Sequence, residues 1–259
     1  KYILECLFYN TAVMLMSGSV IQAFLLENGA NETAISLYLS VFQMVQVVTM
    51  LILSMFVDKI KNIVKASALL ALSQLGFFAA LIAICVFNNV TITFKYALVF
   101  SVGILTSIIQ ACKNIFSYKM PYFVIRMSRY GRITGMTGVV LGVTGSLISA
   151  AMAYFTGNYN YNLAMLCFFL FGGILLVLAF CVLLSYDVSK SQQNNEESSN
   201  KKGNVKELLK YKPFTALLIP NLLRGFCSGI MSVCMTIGFS IGITNSSSGA
   251  VLSMLMQLS

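Results

Sequence analysis

Gly103, Ser107, Gln110 and Asn114 recur at steps of four, three and four inside an otherwise apolar run, so a helix would align them on one continuous face. An amide or hydroxyl held in hydrocarbon is costly unless it meets a partner or lines a cavity. Such a stripe suits reversible hydrogen bonding to a polar solute. Gln43 and Gln46 offer the same chemistry at about 14 and 18 Å along a helix from Ala34, near mid-membrane. Thr11, Gly18 and Gln22 share a face of a neighbouring run. The plainer role for these groups is bonding between helices, worth typically about 0.6 kcal/mol each. Arg224 lies about 16 Å along a helix counted from Pro213. At that depth its guanidinium could contact an anionic solute or pair with a carboxylate further along the protein. Lys113, one turn from the end of its run, is expected to snorkel to the interface.

Other chemistry is excluded by what the chain lacks. It has no His, which removes the imidazole base and the commonest metal ligand. No paired carboxylates or Ser-Lys dyad fall within the apolar runs, so an enzyme is not expected, and neither is a cofactor or a metal. The seven Cys all sit in apolar runs without a CxxC pair and are expected to be small packing residues. Glu5, Glu27, Glu32, Asp58, Asp187, Glu196, Glu197 and Glu207 fall in loops or at run ends. No carboxylate is therefore expected at mid-depth among the first six runs. A proton-coupled carrier would need its titratable group elsewhere, which keeps a uniporter open.

The elements that must position these groups are membrane helices. The chain has 259 residues, 58% of them hydrophobic and 10% charged, with a mean hydropathy of +0.84. A water-soluble domain carries about 25% charged residues. Apolar runs fall at about 2 to 26, 34 to 56, 63 to 87, 95 to 117, 132 to 156, 163 to 186, 213 to 241 and 248 to 259. They lack the ten-residue alternation of membrane strands, so the expected fold is an all-α polytopic bundle. All but Lys95, Lys113 and Arg224 of the 17 basic residues lie at Lys1 or in the breaks around 58–65, 118–132 and 187–212. The positive-inside rule makes those breaks and the N-terminal end cytoplasmic, and turns the net charge of +9 into a statement of orientation rather than of nucleic-acid binding. The sequons at Asn31, Asn89 and Asn245 fall on the outer side in very short loops, where turn chemistry explains them equally well. A Lys-, Asn- and Ile-rich composition favours a bacterial inner membrane.

Residues 189–203 (SKSQQNNEESSNKKG) contain no apolar side chain and read as a flexible linker. The expected organisation is a six-helix bundle over 1–186, a cytoplasmic linker over 187–212 and the start of a second bundle over 213–259. The first run opens at Lys1 and the eighth covers about 12 residues, so a fragment of a longer protein is expected. The turn Gly29-Ala-Asn31-Glu-Thr33, followed by Ser40 and Gln43, has a counterpart in Gly242-Ile-Thr-Asn245-Ser-Ser247, followed by Ser253 and Gln257. That points to a parallel 6+6 repeat.

Six spans, a polar linker and a restart resemble the major facilitator superfamily. The loop Ser54-Met-Phe-Val-Asp58-Lys59-Ile-Lys61-Asn62 resembles that family's G-x-x-x-D-[RK]-x-G-[RK]-[RK] loop, with Asp58 and Lys59 matching and Ser54 and Lys61 replacing the glycines. Arg129-Tyr-Gly131-Arg132, leading into span five, and Lys212-Pro213-Phe214 with Pro220-Asn221-Leu-Leu-Arg224-Gly225 in span seven are also similar to the family. The resemblance implies alternating access by two rocking bundles, with spans one, two, four, five and seven lining the path. It further implies a small solute as substrate, a bilayer as surroundings, an ion where transport is coupled, no nucleic acid, and a monomer in full length. Gly131, Gly135, Gly138, Gly142 and Gly145 share one face of span five, the span that meets the second bundle in the family. Val143 stands where the family's antiporters place Pro, and Ser146 and Leu147 replace their Gly pair, which weakens an antiporter reading. The alternatives are the membrane subunit of an ATP-driven transporter, which would have longer cytoplasmic helices, and a receptor or channel, which would not explain the linker and restart. No GxxxxGK[ST] is present.

Overall fold

The structure, a computed structural model, describes residues 1–186 apart from Ser17, Met55, 57–59, Lys61, 88–90 and Arg126. Asp58, Lys59 and Arg224, the linker and the expected second bundle lie outside the described residues.

Eight α-helices are described: α1 (Tyr2–Leu15), α2 (Gly18–Glu27), α3 (Glu32–Ser54), α4 (Ile63–Ser73), α5 (Leu75–Val86), α6 (Ile92–Val124), α7 (Tyr130–Asn158) and α8 (Tyr161–Leu184). They form six spans long and apolar enough to cross a membrane, because α1 with α2 and α4 with α5 each make up one span. Span three breaks at Gln74, which ends α4 and opens α5.

Local sequence explains most of the ends. Gly29, at φ 85°, closes α2 with the Gly29 amide bonded to the Leu26 carbonyl and the Ala30 amide to the Leu25 carbonyl. That left-handed cap needs a residue without Cβ strain. Asn62 and Asn160 cap α4 and α8 by accepting from the Lys65 and Asn162 amides, both at 3.1 Å. Span four differs from its sequence reading. The polar triplet Ser117-Tyr118-Lys119 suggests an end near 117, yet α6 runs on to Val124 with Pro121 inside it. Polar side chains do not stop a helix whose backbone bonds continue, and this one ends where Ile125 turns extended.

The core gathers around α8, which packs on α1, α4, α5 and α7, while α6 packs on α3, α4 and α5. Met165, Phe169, Gly172, Leu176, Ala179 and Leu183 follow a three-four spacing and are all buried, giving α8 one inward face. Phe169 meets Phe24 edge to face at 5.2 Å between ring centroids, with Phe78 beside it. Gly172 admits the Phe78 ring and a Leu15 methyl where a Cβ would collide with them. Gly103 likewise admits the Tyr38 ring, which a Cβ would approach to 2.7 Å. By contrast α3 and α7 show long apolar faces outward, including Met44, Val47, Leu51, Val139, Val143 and Leu147.

Candidate functional site

The stripe on span four does not stay on one kind of surface. Gly103 is pressed against Tyr38. Ser107 is fully buried, its hydroxyl donating to the Ile104 carbonyl of its own helix at 2.7 Å. Gln110 and Asn114 are half-buried. On span one Gln22 is buried; on span two Gln43 is exposed and Gln46 half-buried. The six polar candidates on the first bundle lie on three spans and differ in burial. On span five, Gly131, Gly135 and Gly138 are exposed and Gly142 half-buried, and a Cβ added to any of the four would meet nothing among the described residues within 4 Å. Gly145 is buried.

The tightest constellation involves two residues that sequence reasoning set aside. Lys113 does not snorkel. Because α6 continues to Val124, Lys113 lies about 16 Å from the helix end, and its side chain has 0% exposure. Its ammonium donates to Glu5 Oε1 at 2.7 Å and to Ser117 Oγ at 3.3 Å, and it sits over the Tyr9 ring at 4.4 Å from the centroid. Glu5 is not a solvated helix-end acid either, for it is 3% exposed inside the bundle. Its second oxygen accepts the Cys6 thiol at 3.5 Å. Glu5 is at the run end where the sequence places it, on the first turn of α1, but it is buried and paired rather than solvated.

The network extends from this pair. The Tyr9 hydroxyl accepts from Gln74 Nε2 at 3.0 Å, and Gln74 is the residue at which span three breaks. Gln74 Oε1 and Ser67 Oγ, both fully buried on span three, have no hydrogen-bond partner among the described residues. Near the end of span six, Lys1 Nζ donates to the Ser185 carbonyl at 2.8 Å, and the Tyr186 hydroxyl is buried without a partner among the described residues. Burial, and then the Glu5 carboxylate and Cys6, raise the pKa of the Tyr186 phenol above its ordinary value. Spans one, three and four are joined by side-chain bonds, and the end of span six lies in the field of the same carboxylate.

The chain matches the family model for the Major Facilitator Superfamily over residues 4–259. The chain belongs to the major facilitator superfamily. No curated protein and no solved structure matches it. Within this major facilitator chain, a single acid or base inside a run of apolar residues was the available signal for Glu5 and Lys113. Their proximity was not, since 108 positions separate them.

Proposed function

We propose that this major facilitator protein carries a small solute across the plasma membrane by alternating access, as a facilitative or secondary active transporter. The reading rests chiefly on the open face of span five. A Cβ at any of four glycines there would meet no described residue within 4 Å, and neighbouring apolar side chains of α7 are exposed. A smooth face of this kind lets a second helical unit approach closely and shift against it. Exposed α3 provides a comparable surface on span two. Gln22, Gln43, Gln46, Ser107, Gln110, Asn114 and Arg224 are the proposed groups along the solute path, and Asp58 and Lys59 the proposed cytoplasmic loop motif. The basic breaks between spans support a cytoplasmic N-terminal end, and composition supports a bacterial inner membrane.

The test is counterflow in proteoliposomes holding the purified full-length protein, with panels of labelled sugars, amino acids and amphipathic drugs. Accumulation of one class above protein-free vesicles supports the carrier reading. Loss of that counterflow in Gln43→Ala or Gln110→Ala with normal insertion would place those amides on the path; counterflow by no class, under either direction of gradient, overturns it.

A further inference from the structure

A cavity of about 420 Å³ lies between spans one, two and four, at the end of the bundle remote from Lys1. That volume falls within the range of small-molecule sites. Leu25 lines it from the last turn of α2, Ala34 to Tyr38 from the start of α3, and residues between Tyr96 and Ser101 from the early turns of α6. None of the lining residues is charged, and none belongs to the amides and hydroxyls proposed for the solute path. Its few polar groups are engaged within the fold. Ser101 Oγ donates to the Ala97 carbonyl at 2.8 Å, and the Tyr96 hydroxyl is buried beside the Asn31 backbone. An ionic guest would lose its water here with no counter-charge in return, so the lining selects a neutral one.

Two further observations narrow the class. Tyr38 meets Phe100 edge to face at 6.0 Å between ring centroids and Phe42 at 5.8 Å in a tilted pair. Rings set at such angles leave faces and edges for another ring, an arrangement favoured beyond simple burial. The lining is also short along the helix axes. From Ala34 to Tyr38 is about 6 Å, and from Tyr96 to Ser101 about 8 Å. An acyl chain filling one leaflet runs through about 15 Å of hydrocarbon and would overrun it.

We propose that this cavity is a binding site for a compact, neutral, aromatic molecule. Leu25, Ile35, Tyr38 and Val99 are buried and form its floor. Ala97 and Ser101 are exposed, one turn apart on α6, and form its mouth. A guest enters past these two small side chains and packs its ring against Tyr38 and Phe100. The Tyr38 ring cannot be pushed deeper, because it already presses on the Gly103 backbone. Recognition is by apolar area and ring geometry, with the lone pairs of Ser101 Oγ able to accept one hydrogen bond. Binding requires no transport, so the proposal stands apart from the carrier reading and its test measures no flux.

Benzophenone is a neutral aromatic ketone that inserts into nearby C–H bonds under near-ultraviolet light, so it serves as both ligand and label. The full-length protein in lipid nanodiscs is irradiated with it and digested, and mass spectrometry reads the labelled residues. Labelling is expected to concentrate on the cavity residues of α3 and α6 over the exposed face of α7. Excess naphthol is expected to protect the cavity, and anionic naphthalene sulfonate is not. Ala97→Phe, which places a ring in the mouth, should cut labelling at Tyr38 and Phe100 about tenfold and leave that of α7 unchanged. Equal labelling of α3, α6 and α7, or cavity labelling that neither naphthol nor Ala97→Phe reduces, overturns the proposal. So does heavier cavity labelling by a phospholipid carrying benzophenone on its acyl chain that naphthol fails to displace, which would make this a lipid-chain cleft. Should Ala97→Phe not insert, protection by naphthol decides alone.

Discussion

Gln74 Nε2 donates to the Tyr9 hydroxyl at 3.0 Å, tying the break in span three to α1 of span one through two buried side chains. Leaving one partner of such a bond unsatisfied costs more than removing both, since the remaining dipole stays buried. Tyr9→Phe should therefore lower stability by about 1–3 kcal/mol. Tyr9→Phe combined with Gln74→Leu should cost less than the sum of the two single changes. Thermal unfolding in detergent, run as a double-mutant cycle, measures the difference, and strict additivity would show that the bond does not couple the spans.

The Glu5 and Lys113 pair makes a related prediction about stability. Glu5→Leu leaves an ammonium buried without its counter-charge, and breaking one side of a buried pair costs about 3–5 kcal/mol. Replacing both, as Glu5→Leu with Lys113→Met, should recover most of that loss because the pair contributes little net energy. Protein yield and midpoint of heat unfolding report the recovery. A double variant less stable than both single variants would contradict this account of the pair.

Gly172→Val should destabilise the bundle by about 1–3 kcal/mol, the usual cost of overpacking. Its side chain would drive into Phe78 and Leu15, both among the best-buried residues of the core. Phe78→Leu alongside it should relieve part of the strain. Comparing unfolding midpoints of the single and double variants tests the contact; equal midpoints would show that Phe78 does not limit the space at this glycine.

Gly142→Leu should do the opposite. No described residue lies within 4 Å of the position a Cβ would take, so the change should leave the stability of the six-span unit within about 0.5 kcal/mol. It should abolish solute counterflow while insertion and unfolding temperature stay normal, because the bulk falls on the face proposed to meet the second unit. Full transport by the variant would remove the glycine face from the mechanism.

The six spans, their helical class and the family itself were legible in the sequence, for a physical reason. Hydrocarbon demands about 20 apolar residues per crossing, so element length is written directly into the composition. The Gly29 turn was also a local signal, whereas the caps at Asn62 and Asn160 emerged only from the structure. The glycine spacing on span five was legible as one face, and the fold then showed that face open at four positions. What local pattern could not contain was pairing across the bundle. A lysine near a polar triplet looks like an interfacial lysine until the helix is seen to continue to Val124, and a glutamate at the start of a span looks solvated until neighbouring helices close over it. Sequence determined which residues lie in membrane helices; only packing decided that Glu5 meets Lys113, because contact between side chains 108 positions apart depends on helix rotation and neighbour order, which the apolar runs leave unspecified.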